Sequence, residues 1–157
     1  MLLDGLVLGI DHVGICVSAM DDAAGLWSSL LGLAIAHHEC VDPQKTEAAF
    51  VDLPDGAATV ELVSPMPGND GLTKFLAKRG DGLHHLAFAV TDIRAALARL
   101  EAAGVPLIDR APRPGARGHL VAFLHPKATR GTLVELVERH PVRRVKEQPA
   151  PSSGGAR

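Results

Sequence analysis

Apolar and polar positions along this chain switch from a period of two to helical spacing and back, and they do so twice. Ile10 to Val17 (IDHVGICV) alternates as a half-buried strand does: Val13, Ile15 and Val17 share one face, and His12, Gly14 and Cys16 the other. A helical run follows, with Ala23, Trp27, Leu30 and Leu31 on one side, Asp21 near its start and Gly32 at its end. Leu83 to Val90 (LHHLAFAV) repeats the strand, with Leu86, Phe88 and Val90 on one face and His85, Ala87 and Ala89 on the other. Asp92 opens a second helix whose Ile93, Leu97 and Leu100 fall on one face, and Gly104 closes it. The pattern predicts strands near residues 9–17, 34–40, 47–53 and 58–63, and again near 84–90, 105–109, 119–124 and 132–138.

The same four letters, VELV, end both halves, at Val60 to Val63 and at Val134 to Val137. Glu61 follows His12 by 49 positions, and Glu135 follows His85 by 50. The chain is therefore two copies of a strand–helix–three-strand unit. Module one spans about 8–65 and module two about 83–139, within a single domain over 1–140. Turn-rich SPMPGND (Ser64 to Asp70) leads into the linker at 66–82, which also holds a candidate short helix, GLTKFLAKRG. The tail at 141–157 is rich in Pro, Ser and Gly and is expected to be disordered.

A carboxylate among branched aliphatics needs compensation if it is buried. Alternation puts Val60, Leu62, Val134 and Leu136 on the helix-facing side and Glu61 and Glu135 on the other, the face that also carries His12 and His85. Small residues, Gly14 and Ala87, neighbour the histidines on that face. Pairing the modules with these faces inward gives an α+β fold, two βαβββ modules forming a cup-shaped half-barrel. Two imidazoles and two carboxylates then converge as ligands of a divalent metal. Mixed nitrogen and oxygen ligation admits Mg, Mn, Fe, Co, Ni or Zn, and four protein ligands leave positions open for a substrate. Single residues carry little of this; agreement of type, face and spacing in both copies carries it. His84 is expected to point away from His85. His37 and His38 read as a solvated edge, and RPGARGH (Arg113 to His119) as a surface loop, a cover for the cup or a holder for an anion.

Bulk properties narrow the function classes. The 157-residue chain is 46% hydrophobic with a net charge of −2. It has no basic footprint for nucleic acid or anionic lipid, and with no Tyr and one Trp it lacks base-stacking platforms. No run is long enough to span a membrane, and the apolar N-terminus lacks the basic start of a signal peptide, so a cytoplasmic location is expected. Cys16 and Cys40 are then expected to be reduced.

GIDHVGICV, GLHHLAFAV and FLHPKATRGTLVELVE resemble the methylmalonyl-CoA epimerase family of the vicinal oxygen chelate superfamily, over about Gly9 to Glu138. The resemblance implies paired βαβββ modules around a divalent metal, Co(II) first among the options, held by His12, Glu61, His85 and Glu135. Relatives often carry Gln at the position of Glu61. It also implies an acyl-CoA substrate, a homodimer, and interconversion of (2R)- and (2S)-methylmalonyl-CoA. The catalytic acid/base groups it implies are Glu47, from the EAAF segment, and Glu135. Just before Glu47 this chain reads Gln44-Lys45-Thr46, where relatives usually read Gln-Gly-Val. Two other readings compete: a glyoxalase-like isomerase on the same scaffold, and a non-catalytic metal-dependent binding protein.

Overall fold

The computed structural model describes residues 1–54, 56 and 58–140; the tail at 141–157 lies outside the described residues. Eight strands form one sheet, in the order β2-β3-β4-β1-β5-β8-β7-β6. Module one supplies β1 (Val7–Cys16), helix α1 (Met20–Leu31), β2 (Ile35–Val41), β3 (Thr46–Asp52) and β4 (Thr59–Pro65). Helix α2 (Asp70–Arg79) occupies the linker. Module two supplies β5 (Gly82–Val90), α3 (Ile93–Ala102), β6 (Arg113–Pro114), β7 (Leu120–Leu124) and β8 (Val134–Glu138). In each module the first strand pairs in parallel with the last, β1 with β4 and β5 with β8. The modules join where β1 and β5 pair antiparallel at the centre.

Alternation sets the two faces as the sequence predicts. Val90, Leu136 and Val134 pack with Ile93, Leu97 and Leu100 of α3, and Val17 and Leu62 pack with Met20 and Trp27 of α1. Asp92 caps α3 by accepting a hydrogen bond from the Ala95 N–H. At the end of α1, Gly32 takes the left-handed conformation, φ 67°. Three expectations are corrected. Leu30 and Leu31 are 72% and 53% exposed, so only the Ala23–Trp27 side of α1 packs inward. Asp21 sits in the first turn, where its charge suits the helix dipole, while the cap position is Ala19. The strand expected at 105–109 is reduced to one bridge, Leu107 to Leu124, and the short edge strand β6 falls at 113–114. Pro106 cannot donate to a ladder. Among the described residues, no helix is long and apolar enough to cross a membrane.

Candidate metal centre and active site

Strand register brings the four singled-out side chains together. Gly14 on β1 lies between Glu61 on β4 and His85 on β5. Ala87 on β5 lies between His12 on β1 and Glu135 on β8. The small residues are thus the gaps through which neighbouring strands send in their large polar ones. All four polar residues are buried, 5 to 7% exposed. His12 Nε2 is 2.9 Å from His85 Nε2, 3.1 Å from Glu61 Oε2 and 3.0 Å from Glu135 Oε2. His85 Nε2 is 3.3 Å from each of the same two carboxylate oxygens. Donor atoms of His12, Glu61 and His85 all lie within 4.8 Å of one another. Glu135 likewise reaches both imidazoles through Oε2, so all four side chains converge on one point.

Burial opposes charge on every member of this cluster, but hydrogen bonding wins. Bonds to Asp11, Glu135 and Glu61 raise the His12 pKa to about 12, against the effect of its burial. Glu135 and Glu61 raise His85 to about 9 in the same way. These contacts hold both carboxyls below their ordinary range although burial would push them up. Two carboxylates with neutral imidazoles carry two negative charges, which a buried site cannot leave unmatched. Protons can match them; a divalent cation would match them equally, and four donor side chains already converge. The donor set therefore fits a divalent metal site.

Several supporting residues were not anticipated. The His12 Nδ1–H donates to Asp11 Oδ1 at 2.8 Å, and the other Asp11 oxygen accepts from Arg139 Nε. His84 does not point away: it lines the cavity, with its Nδ1 2.9 Å from His85 Nδ1. Phe50 and Phe123 lie directly opposite Glu61 and Glu135 on the neighbouring strands. Phe50 stands edge-on to His12 and Phe123 to His85, with centroids 6.5 and 5.5 Å apart. Both phenylalanines follow their histidine by 38 positions, the same repeat signal that exposed the glutamates.

The cluster floors a cavity of about 1480 Å³ whose walls include Val41, Ala48, Phe50, Val121 and Phe123. The RPGARGH segment covers one side of it. Arg117, at φ 55°, gives its backbone N–H to Glu39 Oε1 at 2.6 Å and its guanidinium to Asp52 Oδ1 at 3.1 Å. The same guanidinium lies 4.1 Å from the Phe50 ring centroid, and Gln44 Nε2 donates to the Pro114 carbonyl at 2.8 Å. His119 also faces the cavity, and its Nδ1 is buried with no hydrogen-bond partner among the described residues. Cys16 is fully buried against Val63 and Leu72, a packing residue whose thiol pKa burial raises to about 11.

Glu47 is not part of this assembly. Phe50 pairs with Glu61, which turns Thr46, Ala48 and Phe50 toward the cavity and the odd-numbered positions of β3 away from it. Ala49 packs with α1 residues. Glu47 accepts from His38 Nε2 at 2.8 Å on that outer side and borders a small cleft with Met20, Asp21 and Asp22. His37 and His38 are exposed edge residues, each paired with a glutamate, as expected.

Paired βαβββ modules around a His/Glu cluster define a superfamily, and the comparison with family models agrees: residues 11–123 match the Glyoxalase/Bleomycin resistance protein/Dioxygenase superfamily. The chain belongs to that superfamily. Among individual proteins, it is 42% identical to the uncharacterized protein YqjC of Bacillus subtilis, covering 82% of this chain and 91% of that one. It is 34% identical to the ethylmalonyl-CoA/methylmalonyl-CoA epimerase of Cereibacter sphaeroides, covering 81% and 95%. The crystal structure of methylmalonyl-CoA epimerase from Mycobacterium tuberculosis superposes with a TM-score of 0.83 at 39% identity, covering 90% and 94%.

Proposed function

We propose that this protein is a methylmalonyl-CoA epimerase, interconverting the (2R) and (2S) thioesters by removing and returning the C2 proton. The observation that carries this reading is the convergence of His12, Glu61, His85 and Glu135 in the lining of a cavity of about 1480 Å³. The C2 proton lies between a thioester carbonyl and a carboxylate, so its loss leaves charge delocalised onto oxygen. A divalent ion held by His12, Glu61, His85 and Glu135 would stabilise that charge on the substrate oxygens.

The chain's own residues perform the proton transfers. Inversion needs one group to take a proton from one face of C2 and another to deliver one to the opposite face. Glu135 Oε accepts the proton as the C2–H bond breaks and its electron pair spreads into the thioester and carboxylate. A second acid/base group returns a proton to the other face, and the two groups exchange roles for the opposite enantiomer. The sequence resemblance assigns that second part to Glu47, which here accepts from His38 on the outer side of β3. Glu61, at a position where relatives often carry Gln, belongs to the metal-holding set. A carboxylate that also holds a cation is a weaker base, but Glu135 has a second oxygen for proton transfer. Val41, Ala48 and Val121 keep that wall of the cavity apolar, and the Arg117 segment limits water on one side. Co(II) as the ion, a homodimer as the assembly and the cytoplasm as the location belong to the same reading. The free thiols of Cys16 and Cys40 accord with a reducing compartment.

The test is to load the protein with Co(II) and add (2R)-methylmalonyl-CoA in D2O. Deuterium at C2 together with (2S) product, both lost on chelation, is the expected result. Bound Co(II) without exchange would overturn the epimerase reading and send the search to a glutathione hemithioacetal, the substrate type of the glyoxalase-like alternative.

A further inference from the structure

A residue that precedes another in a regular strand points to the opposite face, so neither Asp11 nor His84 should reach its neighbouring histidine. Both do, and the sheet register says why. Along β1 and β5, Ile10 pairs with Phe88 but His12 pairs with Ala87, which leaves Asp11 as an extra residue on β1. Gly14 pairs with His85 but Ile15 pairs with Leu83, which leaves His84 as the extra residue on β5. Each is a bulge, and a bulge re-aims a side chain. Both turn into the cavity beside the histidine that follows them. The duplication therefore extends to a further pair of residues at equivalent positions, one on each central strand.

The chemistry of the two supports differs. Asp11 is an anion, 7% exposed, taking the His12 Nδ1–H at 2.8 Å while Arg139 holds its second oxygen. That leaves the His12 Nε2 lone pair aimed at the cluster and makes the ring more electron-rich. His85 has an imidazole partner instead: His84 Nδ1 at 2.9 Å, with the His84 ring packed edge-on to Phe75 at 4.9 Å. We infer that Asp11 and His84 are positioning residues, each fixing the tautomer and aim of the metal-facing imidazole beside it, and that the charge on Asp11 makes His12 the more firmly held ligand. The inference rests on the metal-centre reading above.

The experiment compares Co(II) affinity, by competition with a chelating dye, for the full-length protein and its variants. Asp11→Asn keeps size and a hydrogen-bond acceptor but removes the charge; its affinity should fall about 10–100-fold, the usual cost of losing such a partner. His84→Phe keeps a ring beside Phe75 and should lose about tenfold or less. Arg139→Ala leaves Asp11 in place with a free oxygen and should fall between wild type and Asp11→Asn. It serves as the gentler variant should Asp11→Asn unfold, which thermal melting of the metal-free proteins reports. In the Co(II)-loaded protein, the hyperfine-shifted imidazole N–H resonance of His12 should move in Asp11→Asn while that of His85 stays; a purely structural role would move both or neither. Wild-type affinity in Asp11→Asn and His84→Phe, or unmoved resonances, overturns the inference. His12→Ala separates the two levels. If it binds Co(II) as wild type does, the ligand assignment fails; if it does not, while Asp11→Asn does, only the positioning role fails.

Discussion

Gly14 has no side chain because His85 occupies the space. A Cβ built there would lie 2.0 Å from His85 Cε1, and the ring is wedged against Phe123 and cannot retreat freely. Gly14→Ala should therefore weaken Co(II) binding by about tenfold or more, as loss of ligand orientation does elsewhere, checked by the same dye competition. The four ionisable groups also set a pH dependence. In the metal-free protein His12 and His85 have pKa values raised to about 12 and about 9. Their contribution to stability is complete below about 6.5, the unfolded value, and is lost as pH rises through 9 and then toward 12. The lowered Glu61 and Glu135 contribute above their unfolded values and lose that contribution as pH falls. Metal must displace the imidazole protons, so binding at pH 7 should release protons and tighten as pH rises toward 9. Calorimetry in buffers of different ionisation enthalpy measures the number released. For catalysis, Glu135→Gln should lower kcat by about 10²–10⁴-fold, the usual share of a general base, whereas Glu61→Gln, the residue relatives often carry there, should keep turnover and change Co(II) affinity. Glu47→Gln, on the outer face, should leave the rate within about twofold, a surface-type effect. An epimerase rate that collapsed in Glu47→Gln would restore the assignment of the second base that the sequence resemblance made.

At the level of elements, helices and strands divide the work. α1 and α3 bury the convex face of the sheet and contribute no side chain to the cavity lining. Leu97, 3% exposed in the α3 core, should cost about 2–5 kcal/mol when cut to Ala, read by urea denaturation of the metal-free protein, with Co(II) affinity unchanged at full folding. β1 and β5 do the opposite. They carry both histidines and the two bulges that turn Asp11 and His84 into the cavity, so irregular pairing here serves the site. The 113–118 segment ties the outer edge of module two to β2 and β3 of module one through Arg117, Glu39, Asp52 and Gln44. Sequence reading left this segment open among a plain loop, a cover and a holder for an anion; its contacts to module one make it a cover.

At the level of the molecule, each module brings one histidine and one glutamate, and neither half has a four-donor site by itself. A bound ion is therefore held by both modules and should stabilise the folded domain as one unit. At a free Co(II) concentration 100 times Kd the linkage amounts to about 2.7 kcal/mol, visible as a rise in Tm that a chelator reverses. An unchanged Tm at saturating Co(II) would mean that the ion does not bind the folded state at the seam.

Repetition made most of this legible in one dimension. Two strand-then-helix patterns and two VELV segments at matched spacing place His12, Glu61, His85 and Glu135 on one face, because strand alternation and helix periodicity are local properties of the backbone. The same local rule misplaced His84, whose bulge breaks alternation, and it gave no hold on Asp11 or Arg139, which meet only across the sheet. Glu47 shows the limit most clearly. A motif resemblance identifies a residue type, but which face of β3 it occupies is decided by the pairing of Phe50 with Glu61, a contact between strands. Sequence determined the modules, the residue types of the His/Glu cluster and their facing; the tertiary structure decided register, and register decided which side chains share the cavity.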